Sequence, residues 1–326
     1  DIPNHLKWAM GVDVDDEDTT TLVRPDVFGD PLHSKPIVVN YGTGNSRIVV
    51  GTNAGVLHMF EDVSDTSITE SWAYLPEEFF KNIKPLRENS IAVNNKIYGL
   101  DGPITLHIND VNNNGKVDTP TDSAWLFFGL RRGGSSYYAI DITYPDSPKL
   151  MWHIENPPGN TNDFKELGLT FSQPKVVKSS LNKTDPDKLV VIFGGGYDIK
   201  KDLSGVNTPD DNNGAAVYMV NARTGARIFI KPTGSKNGIA SSIASLDSDS
   251  DGLVDRLYVG DTGGNVWRLD MLDATKANTS IIHLASLGGI TDADDRRFFN
   301  QPSIVRTYIL ETINTGTPGS PNIVKQ

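Results

Sequence analysis

Residues 247–270 read DSDSDGLVDRLYVGDTGGNVWRLD, an acidic loop followed by two short apolar segments. The apolar segments, 257–259 and 266–269, are separated by a glycine-rich connection. Glycine accepts the backbone angles of a tight connection between antiparallel strands at little steric cost. The stretch therefore predicts a loop that leads into a β-hairpin.

The order of features around this hairpin recurs along the chain. A first strand has a small residue and usually a proline near its start, a second apolar strand ends in glycine, and a third follows a tight turn. The five copies of the first strand begin at residues 34, 102, 172, 239 and 300. Successive copies are roughly 60–70 residues apart, whereas common propeller repeats are about 40–50 residues long. We attribute the extra length to long loops.

Units of three or four short strands cannot bury their faces alone, whereas radial stacking of small sheets buries them. We therefore predict an all-β protein, a modified β-propeller with long inter-strand loops. A short helical insertion is predicted at 76–86, where proline and two glutamates come first and lysines come late. Within the insertion, Phe79, Phe80 and Ile83 are expected to cover one end of a sheet.

Composition limits the classes of function. The chain has 326 residues and a net charge of −11, which argues against nucleic acid or an anionic membrane as the main partner. It has no cysteine, so no disulfide and no thiolate ligand is available. No run of about eighteen apolar residues occurs, so no transmembrane segment is predicted. Residues 1–326 are expected to form one domain, with 1–29 as a lead-in segment and the last blades incomplete.

The acidic loop at 247–255 has the spacing of a calcium-binding loop. Oxygen-bearing side chains stand at its positions 1, 3, 5 and 9, and glycine stands at position 6. The predicted ligands are Asp247, Asp249, Asp251 and Asp255, together with the carbonyl of Leu253 at position 7. Ca²⁺ takes six to eight oxygens at about 2.3–2.6 Å, and this alternation converges oxygens on one point. The alternative is an acidic, solvated turn that binds no ion.

The loop differs from an EF-hand in the structure that surrounds it. An EF-hand has a glutamate at position 12 on the exiting helix. Here Tyr258 takes position 12, inside an apolar run that predicts a strand. We therefore expect Asp255 to complete the ion's coordination, in a loop that joins two strands.

A second loop, 110–118, has the same register. Its predicted ligands are Asp110, Asn112, Asn114, Lys116 at the carbonyl position, and Asp118, with Gly115 at position 6. It also lies between the first and second strands of its unit. Two of its side chains are neutral amides, so calcium binding is expected to be weaker here than at 247–255. The alternative is a simple turn, because Asn-Gly is a turn signal by itself.

No catalytic constellation is found, and the chain is predicted not to be an enzyme. Its six histidines show no metal-binding spacing, and none is paired with a plausible nucleophile. The turn containing Arg131 and Arg132 is interpreted as a solvated hairpin tip rather than an anion site. The glycines at 194–196 lack the lysine and the helix start of a phosphate-binding loop.

Four segments carry a resemblance to a known family: WAMG at 8–11, GDPLHSKP at 29–36, VGTNAGVLH at 50–58, and the stretch 247–270. They resemble the C-terminal domain of the PilC/PilY proteins, the tip-associated adhesins of bacterial type IV pili. The resemblance implies a propeller of about seven blades in the full domain. It also implies a calcium site in the nine-residue loop, with the four aspartates and the Leu253 carbonyl as ligands.

The same resemblance implies a function. It implies roles in pilus biogenesis, calcium-regulated extension and retraction, twitching motility and adhesion to host cells. The expected partners are minor pilins, pilus assembly components and host-cell receptors. The expected location is the pilus tip at the cell surface, or the periplasm or outer membrane, of a Gram-negative bacterium. The variable N-terminal adhesin region of such proteins is not expected in this chain, and no Arg-Gly-Asp tripeptide occurs.

Two alternatives of other classes remain open. Quinoprotein dehydrogenases are propellers that bind Ca²⁺ and a quinone, and residues 221–226 faintly resemble their repeated turn. That turn recurs poorly here, and the adjacent cysteine pair of those enzymes is absent. A purely structural calcium propeller, like the blades of integrin α-chains, is the second alternative, and there the ion only makes a loop rigid.

Overall fold

The computed structural model describes residues 2–89, 96–156, 163–202, 210–271, 275, 278–289, 291, 293–307, 310–313 and 322–325. It contains four sheets of four antiparallel strands, in which chain order is also spatial order. The strands are β1 (Ile37–Asn40), β2 (Ser46–Gly51), β3 (Leu57–Ser64) and β4 (Ser67–Tyr74); β5 (Ile104–Asn109), β6 (Ser123–Gly129), β7 (Ser136–Asp141) and β8 (Lys149–Glu155); β9 (Lys175–Lys178), β10 (Leu189–Gly194), β11 (Ala216–Asn221) and β12 (Arg227–Pro232); β13 (Ala244–Leu246), β14 (Arg256–Gly260), β15 (Asn265–Asp270) and β16 (Ser280–Ser286). The predicted all-β, propeller-like architecture is confirmed.

The middle strands of the sheets explain the apolar runs in the sequence. Every residue of β10 and of β11 is buried, because a neighbouring sheet packs on each face. A strand that is buried on both faces shows a continuous apolar run rather than alternation. The first and last strands, such as β1 and β4, keep exposed positions and more polar residues.

In the described part of the chain, three hydrophobic cores lie between successive sheets. The first joins the first and second sheets and includes Val49 and Phe128. The second joins the second and third sheets and includes Phe127 and Val191. The third joins the third and fourth sheets, with Ile192 on one side and Leu257 and Trp267 on the other. Each sheet between two others therefore contributes both of its faces to the stack, as radial packing requires.

The glycine that ends each second strand marks a close approach between sheets. A Cβ on Gly194 would lie 2.4 Å from the carbonyl oxygen of Ile239, in the segment that enters the fourth sheet. A Cβ on Gly260 would lie 2.5 Å from the Cβ of Phe298, in the segment after the fourth sheet. Only glycine fits at such positions, which explains why the second strand of each repeat ends in this residue.

In three of the sheets, a buried serine hydroxyl just before the first strand forms a hydrogen bond with the glycine that ends the second strand. The Oγ of Ser34 accepts the Gly51 N–H at 2.9 Å, and the Oγ of Ser172 accepts the Gly194 N–H at 2.9 Å. Ser241 makes the equivalent bond to Gly260 at 3.0 Å. In the second sheet the equivalent position in the sequence is a buried aspartate, Asp101, which lies 2.8 Å from the ring nitrogen Nδ1 of His33.

The first strands of the four sheets run in the same direction around the stack. The hydroxyl of Thr105 in β5 donates to the Pro174 carbonyl, just before β9, at 2.6 Å. The end of β1 contacts the loop that follows β5, and the end of β9 contacts the loop that follows β13. The connections from first to second strand therefore lie on one side of the stack. This arrangement places both predicted metal loops on the same face.

The prediction of a fifth first strand, beginning at residue 300, is wrong. Residues 300–307 have no regular secondary structure, although Phe298 docks on Gly260 as the entry of a further unit would. A separate two-stranded hairpin follows, formed by β17 (Leu310–Ile313) and β18 (Asn322–Lys325). In the fourth sheet, 239–243 precedes β13 rather than forming it, because Ile239 and Ser241 are held against the preceding sheet and Gly260.

The helical insertion is confirmed with one change. A 3₁₀ turn (Glu77–Phe79) leads into the helix α2 (Phe80–Arg87); among the described residues one α-helix, α1 (Ile2–Ala9), precedes it. Phe79 and Ile83 are buried as predicted, but Phe80 is 51% exposed. Phe79 fits against Gly55, where a side chain would clash with its ring, whereas Phe80 begins the α-helical turn on the solvent side.

The lead-in segment packs against the first sheet. It begins with α1 (Ile2–Ala9), where Trp8 stacks under the Arg24 guanidinium at 3.9 Å. At its other end Phe28 contacts the rings of His58 and Phe60, at 5.1 and 5.9 Å between centroids. In the part of the chain that the structure describes, no helix has the length and apolarity to span a membrane.

Candidate metal centre

The loop 247–255 connects β13 to β14, as predicted, and its ends are fixed by the sheet. The Asp255 N–H donates to the Leu246 carbonyl at 3.0 Å, and the Met271 N–H donates to the Asp255 carbonyl at 2.7 Å. Between these ends the chain turns through Ser250 and Gly252, whose φ angles are 67° and 86°. The glycine at position 6 therefore has the left-handed conformation that the sequence pattern requires.

Three of the four aspartates come together. One carboxylate oxygen from each of Asp247, Asp249 and Asp255 lies within 4.8 Å of the other two. Oxygens on opposite sides of one Ca²⁺ are roughly 5 Å apart, so this spacing suits a single ion of that size. Asp251 stands outside the cluster, and its Oδ1 accepts the Leu253 N–H at 2.7 Å.

Backbone donors keep the first ligand ionised. The Oδ1 of Asp247 accepts the Ser250 N–H at 2.7 Å, and its Oδ2 accepts the Gly252 N–H at 2.8 Å. Partial desolvation raises the pKa of Asp247, but these donors and the Asp251 N–H outweigh it and lower the pKa overall. The carboxylate is therefore charged at neutral pH, as a calcium ligand must be.

Ser248 belongs to the site, although the spacing of the ligands in the sequence does not single it out. Its N–H and its hydroxyl both donate to Oδ2 of Asp255, each at 2.7 Å. These bonds aim the carboxylate at position 9 back across the loop toward Asp247. The alternation of serine with aspartate at positions 2 and 4 was visible in the sequence, but only the fold shows which serine orients a ligand.

The second loop, 110–118, connects β5 to β6 and is held together by its own side chains. The Nζ of Lys116 lies 2.9 Å from Oδ1 of Asp118. The amides of Asn112 and Asn114 donate to Oδ2 of the same carboxylate, at 3.1 and 2.6 Å. The Lys116 ammonium, followed by these two amides, lowers the pKa of Asp118 to about 2. An ion at this loop would have to displace all three donors.

The lysine at position 7 leads to a prediction. Lys116→Met removes the ammonium, so the pKa of Asp118 should rise from about 2 toward its ordinary range and one of its oxygens becomes free. Calcium affinity at this loop should then increase roughly fivefold. Calorimetry with Asp255→Ala as the background, which weakens the first loop, measures the change. Lys183→Met removes the same charge from an exposed position elsewhere and should leave this affinity unchanged.

Known proteins that are similar to this chain have the same β-propeller fold. The sequence profile of the family described as the PilY1 beta-propeller domain matches residues 33–304. The chain belongs to the PilY1 β-propeller family. A type IV pilus biogenesis factor PilY1 from Pseudomonas aeruginosa (strain UCBPP-PA14) is 29% identical over 293 residues, which cover 79% of this chain and 22% of that protein. A homologue of this factor in Xylella fastidiosa is 28% identical over 265 residues, covering 76% of this chain and 15% of that protein.

A solved relative has the same architecture. The crystal structure of the Pseudomonas aeruginosa PilY1 C-terminal domain superposes with a TM-score of 0.54 at 27% identity. The match covers 81% of this chain and 50% of that domain. This chain therefore spans about half of the solved PilY1 domain and less than a quarter of the curated PilY1 proteins that it matches.

The basic turn of this PilY1-family chain is not the solvated tip that the sequence predicted. The Arg132 guanidinium forms two hydrogen bonds with Asp202, at 2.6 and 3.1 Å. Arg131 lies 3.6 Å from the buried carboxylate of Asp101 and stacks over the ring of Phe171 at 4.6 Å. Both cations are engaged by carboxylates and aromatic rings, because the turn packs against the segments that enter the second and third sheets.

Proposed function

We propose that this chain is a calcium-binding part of a type IV pilus biogenesis factor. The observation that carries the calcium proposal is the approach of three carboxylate oxygens within 4.8 Å of one another. None of the four aspartates of this loop forms an ion pair with a lysine, arginine or histidine in the described part of the chain. Carboxylates held this close repel one another unless a cation lies between them. The proposed ligand set is Asp247, Asp249, Asp251, Asp255 and the Leu253 carbonyl.

The proposed role in pili is supported by the relatives, which are described as type IV pilus biogenesis factors. We propose that the loop has two states. In the empty loop the carboxylates repel one another, and the loop is mobile. In the filled loop the ion offsets their charge, and the loop is rigid. A minor pilin or another assembly component would recognise one of these states, which would link calcium to pilus extension and retraction, twitching motility and attachment to host cells.

The proposed setting is the cell surface, including the pilus tip, or the periplasm. Loops of this type in extracellular modules bind Ca²⁺ with dissociation constants of about 10⁻⁴–10⁻³ M, so they fill where calcium is millimolar. The proposed activity is that of a binding module rather than an enzyme, in keeping with the description of the relatives as biogenesis factors.

The test is a calcium titration by calorimetry of this chain and of one variant for each loop. The unaltered chain should bind one ion with higher affinity, at 247–255, and a second with lower affinity, at 110–118. Asp249→Asn should weaken the first event alone, and Asp110→Asn the second alone. Absence of any binding event at millimolar calcium would overturn the proposal.

A further inference from the structure

The two loops contact the preceding sheet in the same way. The Val117 N–H donates to the Asn40 carbonyl at 2.8 Å, and the Val254 N–H donates to the Lys178 carbonyl at 2.9 Å. Asn40 and Lys178 are the last residues of β1 and β9, the first strands of the preceding sheets. Each valine is the eighth residue of its loop. One position in the loop pattern thus forms a hydrogen bond from one sheet to the next.

The side chains of the same two valines enter the cores between the sheets. Val117 is buried in the core between the first and second sheets. Val254 packs against the core between the third and fourth sheets, which also contains Leu181 from the connection between β9 and β10. The N–H of the eighth residue is therefore bound to the preceding sheet, its side chain joins the core that the two sheets share, and it stands directly before the last metal ligand.

The loops differ in what keeps them closed. In 110–118, the ammonium of Lys116 and the amides of two asparagines bind Asp118, the ninth residue. In 247–255, the ninth residue is Asp255, which has a carboxylate oxygen within 4.8 Å of oxygens of two further carboxylates; among the described residues, its carboxylate receives hydrogen bonds from Ser248 alone. One loop is closed by its own lysine, whereas in the other no lysine, arginine or histidine of the described residues pairs with the clustered carboxylates.

We propose that the loop 247–255 is a calcium-dependent latch between the third and fourth sheets. The ion holds Asp255 in place, Asp255 fixes Val254, and Val254 binds the end of β9. Without the ion, repulsion among the carboxylates displaces the Asp255 side chain, while its backbone stays bound to Leu246 and Met271, and the contact of the adjacent Val254 with β9 loosens. The loop 110–118 is the same latch, closed without an ion, between the first and second sheets. This inference rests on the calcium binding proposed above and adds its consequence for the packing of the sheets.

Amide hydrogen exchange with calcium and with a chelator tests the latch. An amide that can open only after the ion leaves gains protection by the factor 1 + [Ca²⁺]/Kd, which is about a hundredfold when calcium is about a hundred times its Kd. The Val254 amide and the third-sheet segment 175–182 should gain protection toward this factor. The Val117 amide should change far less at a calcium concentration that fills only the tighter site.

Asp249→Asn provides the matched variant, because it removes one ligand charge and leaves both Asp255 and Val254 unaltered. In this variant the calcium-induced protection should fall together at the loop and at 175–182. If calorimetry shows calcium binding while protection rises only within 247–253, the latch is wrong and the calcium proposal stands. If calorimetry shows no binding at all, the calcium proposal fails, and the latch fails with it.

Discussion

Asp255→Ala should lower the affinity of the first loop for calcium by about a hundredfold, or about 2.8 kcal/mol. The substitution removes one of three clustered carboxylates and the acceptor of both Ser248 bonds. Calorimetry of this chain measures the loss directly. Asp65→Ala removes the same charge from the exposed turn between β3 and β4 and should leave the calcium affinity unchanged.

The same substitution, made in the full-length protein in its bacterial host, separates two roles of the ion. If calcium is regulatory, the number of surface pili and the rate of twitching should change in Asp255→Ala and not in Asp65→Ala. If calcium only makes the loop rigid, affinity falls while piliation and twitching stay normal, and the regulatory proposal is then wrong. Asp249→Asn keeps the shape of the side chain and the Ser248 bonds, so it controls for damage to the loop itself.

The repeated sheets could be predicted from the sequence because their signals are local. The second strand of each unit is a continuous apolar run that ends in glycine, and both features reflect packing that every sheet shares. The first strands were harder to place. β13 is only three residues long, and 239–243, which has the sequence pattern of this strand, is held by Ser241 and Ile239 against neighbouring chain.

The metal loop could be predicted in its spacing but not in its detail. Alternating aspartates and the glycine at position 6 are visible in the sequence, and the fold brings three of the four carboxylates together. The contact of the eighth residue with the preceding sheet is not visible, because nothing near Val254 in the sequence points to Lys178. The pairing of Arg131 with Asp101 escaped prediction for the same reason, since it joins residues of two different loops.

Gly194→Ala should destabilise the fold by about 3 kcal/mol. A Cβ at this position would lie 2.4 Å from the Ile239 carbonyl oxygen and 2.5 Å from Cγ2 of the same residue. The same carbonyl oxygen also accepts a hydrogen bond from the Gly196 N–H at 3.0 Å, so it cannot move away without losing that bond. Chemical denaturation, followed by circular dichroism, measures the change.

The control separates crowding from backbone strain. Gly234 has a φ of 79°, and a Cβ added there would have no atom within 4 Å, so Gly234→Ala should cost only about 1 kcal/mol, from the left-handed backbone. Gly194 has no such φ, and its cost should come from the contact between sheets alone. Equal losses in the two variants would show that the close approach is not what requires glycine. A larger loss of stability at Gly194 would instead mean that the third and fourth sheets cannot move apart to admit a methyl group. A single loop such as 247–255 can hold the two sheets together only under this condition.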